Sequence, residues 1–185
     1  MLTSIKQRMD REDEGFTLIE LMVVLLIIAI LLAIAIPTFL GARDTANARS
    51  SQENLRNALT AEQSNWTTDQ TFATGLSTLE PSIGWTTGAI TTEGGNAVSV
   101  SLYNEGTTVT AATGNADSVL LQAYSKDGNC YNIFQSNNPS TSFTAYEVNH
   151  NAACVVPGSG TGLPTAAPAA GTSASSSYNT WAAGF

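Results

Sequence analysis

Residues Phe16–Leu40 read FTLIELMVVLLIIAILLAIAIPTFL, and this stretch decides the architecture. Within it, Leu21 to Ile36 is sixteen apolar residues without a break, and the only clearly polar members of the longer run are Thr17, Glu20 and Thr38. As a helix at about 1.5 Å per residue the run reaches roughly 37 Å, enough to cross a hydrocarbon layer of about 30 Å. It is too long for the 7–15-residue apolar segment of a cleaved secretory signal, and Pro37 to Arg43 offers only a weak small-residue cleavage site. An uncleaved anchor is the better reading. Lys6, Arg8 and Arg11 precede the run and Arg43, Arg49 and Arg56 follow it, so the balance of cations does not set its orientation.

Glu20 stands out inside this stretch. A carboxylate at the centre of a membrane helix costs about 3 kcal/mol, whereas the Leu, Ile, Val and Phe residues around it each return about 0.5 kcal/mol, roughly 8 kcal/mol together. Insertion survives, but the glutamate needs a reason. Either it sits at the interface and reaches water, or it awaits a positive partner from another chain.

Outside the run the 185-residue chain is polar. Seven Lys+Arg against fifteen Asp+Glu give a net charge of −8, and only 12% of residues are charged. An acidic chain of this kind lacks the electrostatic footprint for wrapping nucleic acid. Thr, Ser, Asn and Gly dominate instead, a composition suited to a β-rich surface.

The junction Gly15-Phe16-Thr17-Leu18-Ile19-Glu20-Leu21-Met22-Val23-Val24 resembles the processing motif of type IV pilins and type II secretion pseudopilins. The resemblance covers residues 1 to about 40 and rests on four features in register: a polar leader ending in Gly15, Phe16 after it, Glu20 as the fifth residue of the processed chain and Pro37 as the twenty-second. It implies cleavage by a prepilin peptidase between Gly15 and Phe16 and N-methylation of Phe16. It also implies an assembly role for Glu20, paired with the terminal amine of a neighbouring subunit, and for Pro37, which kinks the helix. An amine and a carboxylate in apolar surroundings are each costly alone and favourable together. The implied partners are further copies of the chain in a helical polymer, minor pilins, the peptidase, an assembly platform and its ATPase motor. Before assembly the subunit would rest in the inner membrane with its head outward; afterwards it would be extracellular. Two alternatives remain: a pseudopilin of a type II secretion system, and a membrane-anchored binding module that never assembles.

The rest of the chain divides by pattern. Residues 1–15 form the leader. A helix is expected over 16–66, membrane-spanning over 16–40, with Ala48, Leu55, Leu59 and Trp66 on one face of its second half. A kink or local melting is expected between Ile34 and Gly41. Residues 67–157 form a globular head. There Val98–Leu102, Val119–Tyr124, Cys130–Phe134 and Phe143–Val148 are candidate strands, with turns at Gly94-Gly95-Asn96 and Asp127-Gly128-Asn129. The fold class is therefore α+β, a long N-terminal helix packed on an antiparallel sheet of about four strands, as in the pilin fold. Residues 158–185 are low in complexity and are expected to be a flexible tail, with a docked end or a contact patch around its three aromatics.

Cys130 and Cys154 are the only cysteines. An even count in an exported head favours a disulfide over two separate buried thiols, and in the resembled family such a bond closes the variable surface region. His150 is the single histidine, too few with one cysteine for a metal site. Gly158–Gly162 superficially resembles a phosphate loop but lacks the following lysine, and no Ser, His and Asp arrangement suggests a nucleophile. Asn65-Trp66-Thr67 fits a glycosylation triplet that arises often by chance. No cofactor and no enzymatic activity are expected.

Overall fold

A computed structural model of the chain describes residues 15–104, 107–109, 116–155, 163–164, 168 and 181–185. The leader expected over 1–15 lies outside the described residues except for Gly15. The chain forms two compact units, residues 1–42 and 43–185. One helix, α1 (Leu18–Asp69), supplies residues to both.

In the first unit the helix is apolar all round, and Leu18 to Leu40 expose every large side chain. It is helical through Pro37, so the local melting expected between Ile34 and Gly41 does not occur. Proline cannot donate its backbone N–H. Next to it the Thr38 hydroxyl donates to the Ile34 and Ala35 carbonyls, at 3.2 and 2.9 Å.

In the second unit α1 runs three residues beyond the expected end at Trp66. Thr67 and Thr68, just past the expected end, turn their hydroxyls back onto the Ser64 carbonyl. The helix stops at Gln70, whose φ of 54° is left-handed and whose N–H donates to the Trp66 carbonyl (2.9 Å). Leu55 and Ala58 are buried against the sheet, with Ala48, Leu59 and Trp66 partly buried beside them. Ser51 and Glu62 share that buried stripe, which the apolar spacing alone did not show.

The sheet has six strands: β1 (Gly84–Thr86), β2 (Ala97–Asn104), β3 (Thr107–Val109), β4 (Ser118–Tyr124), β5 (Cys130–Asn138) and β6 (Thr141–Asn149). Its path is β1-β2-β4-β5-β6, with β3 paired to β2. The four expected strands form its antiparallel centre, β2-β4-β5-β6. The expectation missed β3 and the edge strand β1, which runs parallel to β2. Residues 67–95, expected to be one loop, thus contain the helix end and β1. The hairpin at Asp127-Gly128-Asn129 joins β4 to β5 as expected, with Gly128 at φ 81°. At the earlier turn, Gly94 (φ 76°) sits where a Cβ would come 2.4 Å from the Lys126 side chain. Glycine is the residue both demands allow.

Both faces of the sheet are covered. Val98, Val100, Leu102, Val119, Leu121, Tyr131 and Ile133 face the helix. The opposite face carries Tyr103, Leu120 and Phe134, on which Phe143, Leu163 and Trp181 pack. Ser99, Ser101, Gln122, Asn132 and Glu147 also belong to that face and are buried. The alternation Val98-Ser-Val-Ser-Leu102 reads as a strand with one wet face, but the serines are inside. Ser99 donates to the Gly88 carbonyl at 2.6 Å, Gln122 to Asn132 at 2.9 Å and to the Val155 carbonyl at 3.1 Å, and Asn132 to Glu147 at 3.0 Å. These bonds make burial of polar groups tolerable.

Most of the tail 158–185 lies outside the described residues. Of the two outcomes expected for its end, the structure has the docked one: Trp181–Phe185 packs on the head, with Ala182 bridged to Tyr146 of β6.

Candidate assembly site

The start of α1 is built by a four-residue exchange. Thr17 precedes the first helical residue and Glu20 lies three positions on. The Thr17 N–H donates to Glu20 Oε2 (2.9 Å), and the Thr17 hydroxyl donates to the same oxygen (2.7 Å). In return the Glu20 N–H donates to Thr17 Oγ1 (3.3 Å). This is a capping box: two of the backbone N–H groups that every helix start leaves without a partner are satisfied, and a carboxylate sits at the positive end of the helix dipole. Glu20 thus has a partner within its own chain, besides the interface water or partner chain expected for it. The Thr-x-x-Glu spacing before an apolar run was the signal that identifies the cap.

Gly15 and Phe16 lie just outside the helix, and both are exposed, Phe16 to 87%. Among the described residues, no atom beyond its chain neighbours comes within 4 Å of the position a Gly15 Cβ would take. The bond between them is carried by non-helical backbone ahead of the cap. Behind it the helix is long and apolar enough to cross a membrane by length and composition, and none of its most apolar window is buried within the chain. Such a surface needs lipid or other helices to cover it.

In the second unit Cys130 and Cys154 are joined, with Cα atoms 5.2 Å apart. The bond ties the start of β5 to the segment after β6, closing the β5–β6 hairpin, and Ile90 packs on it. Ile90 and Cys154 also exchange backbone hydrogen bonds (3.0 and 3.1 Å), so the disulfide fixes the 87–96 loop as well. His150 lies in the turn after β6, and no group of three potential metal ligands occurs among the described residues.

Three side chains of α1 hold the segment that leaves it. Glu62 Oε2 accepts from the Ala73 N–H (3.2 Å), Asn65 donates to the Thr71 carbonyl (2.9 Å), and Trp66 stacks against Phe72 at 4.8 Å. The Asn65 amide of the glycosylation triplet is therefore engaged inside the fold. Glu62 is fully buried, and its other oxygen has no hydrogen-bond partner. Burial pushes its carboxyl up to about 8, against the smaller opposing pull of the Ala73 N–H. Burial thus favours its protonated, neutral form.

Comparison with known proteins bears on both units. The family profile described as the prokaryotic N-terminal methylation motif matches residues 11–36, which hold Gly15, Phe16 and Glu20. The type IV narrow pilus major component PilA5 of Thermus thermophilus is 36% identical over 106 residues, covering 55% of this chain and 88% of the relative. The chain belongs to the type IV pilin family. The type IV major pilin protein PilA of Myxococcus xanthus is 44% identical to this pilin over 57 residues, 31% of the chain and 26% of the relative. No solved structure matches the chain. Both relatives are named as pilus components and not as enzymes, and the pilin architecture accounts for an apolar helix with so little cover of its own.

Proposed function

We propose that this pilin is made as a precursor with a leader over 1–15, cut between Gly15 and Phe16 and N-methylated on Phe16, then polymerised through α1. The observation that carries this reading is the uncovered apolar helix behind an exposed, non-helical Gly15–Phe16 junction, inside the region that matches the methylation motif. Before assembly the first half of α1 rests in the inner membrane and the head faces away from the cytoplasm, where the disulfide is stable. In the filament, neighbouring helices replace the lipid. Glu20 then pairs with the Phe16 amine of the next subunit and sets the axial register of helices whose apolar surfaces carry none. Pro37, which lacks a backbone N–H inside an unbroken helix, lies near the junction of the packed and head-bearing halves. Cleavage falls to a membrane peptidase, and extrusion to an assembly platform with its ATPase. The role of the subunit is structural, in a filament serving adhesion, motility or DNA uptake, and its disulfide suits an exposed head.

Glu20→Ala tests the pairing. The variant is expected to insert into the membrane at the wild-type level and to yield few or no sheared filaments. Glu20→Gln separates the roles, because it keeps a side-chain oxygen for the Thr17 cap but loses the charge. Normal filaments from both variants would contradict the proposed pairing.

A further inference from the structure

The segment Trp181–Phe185 wraps the free edge of the sheet. Ala182 and Tyr146 of β6 exchange two backbone hydrogen bonds, both 2.8 Å, in antiparallel sense. On the face away from the helix, Trp181 meets Phe134 edge-on at 6.1 Å, beside Leu163. On the helix face, Phe185 meets Tyr146 at 5.0 Å and Tyr131 at 5.6 Å, with the Arg56 guanidinium 5.9 Å from its ring centre. One short segment thus clips β6 from both faces and pairs with its backbone between them.

We propose that this clip is exchangeable: in the filament, Trp181–Phe185 of one subunit closes the β6 edge of a neighbouring copy. This rests on the reading that the pilin polymerises. An open sheet edge accepts added strands, and side-chain pockets on either face of it select the segment that fits. Here the fitting segment belongs to the chain itself, so every copy carries both the clip and its acceptor. Moving the clip from its own edge to an identical one conserves each contact, which makes exchange inexpensive. The twelve residues before it, 169–180, are AAGTSASSSYNT, a linker composition, and twelve residues can span up to about 40 Å. The exchanged bond is also directional, whereas burial of the apolar half of α1 is not. A clip that passes from head to head along the filament adds backbone hydrogen bonds between subunits outside the helical core.

The test uses full-length subunits carrying single cysteines. Paired antiparallel residues that exchange both hydrogen bonds have Cα atoms about 5.5 Å apart, within disulfide range. Tyr146→Cys and Ala182→Cys subunits are co-expressed, and sheared filaments are run on non-reducing gels. Neither variant can form the bond within one chain, so a covalent dimer in filaments from the mixture, absent from the membrane fraction and from filaments of either variant alone, is the expected result. A chain carrying both cysteines serves as control and forms the bond internally before assembly. No dimer from the mixture, alongside a bond in the control, overturns the exchange and leaves the clip on its own subunit. Absence of filaments from the unaltered chain instead overturns the polymerisation reading. Should either cysteine variant fail to fold, a photoreactive phenyl ketone replaces Trp181 in light subunits mixed with 15N-labelled unaltered ones. Light-to-heavy crosslinks to the Phe134 or Phe143 region support exchange, and light-to-light crosslinks alone refute it.

Discussion

The two halves of α1 are one helix with opposite fates. From Leu18 to Leu40 the large apolar side chains are exposed, Leu26 to 61%, and none of the described residues covers them. From Ser51 to Glu62 the same helix buries a stripe under a six-stranded sheet, with Leu55 and Ala58 fully enclosed. A helix that is apolar all round needs its partner outside the chain; one with a single apolar stripe can find it within. The first half therefore serves assembly and the second half serves folding. Mutations should separate them.

Leu55→Ala is expected to have the largest effect on folding. It removes a fully enclosed side chain and should cost about 2–5 kcal/mol. Leu26→Ala, the same change on the exposed half, should leave head stability within about 0.5 kcal/mol. Thermal unfolding of the full chain in detergent, followed by near-ultraviolet circular dichroism, reads both. Equal losses from the two would break the division.

Glu62 sharpens it further, since a carboxyl is buried only in the half that the sheet covers. Its folded value of about 8 lies above the ordinary 4.5. The folded head thus holds this proton more tightly than the unfolded chain does. The resulting stability is fully present below pH 4.5 and is lost as pH rises through 8. The melting temperature of the wild-type head should fall between pH 5 and pH 9, and Glu62→Gln, neutral throughout, should flatten that fall. An equally steep fall in the variant would assign the pH dependence to other groups.

Thr17→Ala is expected to have the smallest effect. Loss of an N-cap costs about 1 kcal/mol, confined to the first turn. Amide exchange in micelles should speed up over residues 18–21 and remain unchanged around Leu55. Faster exchange along the whole helix would show that the cap acts on both halves.

How much was legible in the sequence follows the same divide. The exposed half could be read outright, because sixteen uninterrupted apolar residues have few physical outcomes and Gly15, Phe16, Glu20 and Pro37 fall in register. The four central strands were legible from alternation and from the glycine turns. Polar residues that fold inward were not. Ser51 and Glu62 broke the apolar spacing of a truly buried stripe, and the serines of Val98–Leu102 read as a wet face; the structure instead bonds Ser99 to the Gly88 carbonyl and Gln122 to the Val155 carbonyl, from loops remote in sequence, while Asn132 and Glu147 bond across neighbouring strands. Strand β1 is three residues long and owes its existence to pairing with β2. Trp181–Phe185 sits behind a stretch with no periodicity, so only its aromatics hinted at docking. The capping box at Thr17 and Glu20 was legible by spacing, but the charge of Glu20 drew attention to distant partners.

The central claim is that the exposed half of α1 becomes a filament core after the chain is cut ahead of its cap. Mass spectrometry of the N-terminal peptide tests this most directly, on sheared surface filaments and on the membrane fraction of the same cells. The account predicts N-methylated Phe16 as the first residue of the filament material. Chains that still begin at Met1 in the membrane, with none of this protein in the sheared fraction, would contradict it and leave a membrane-anchored protein that does not assemble.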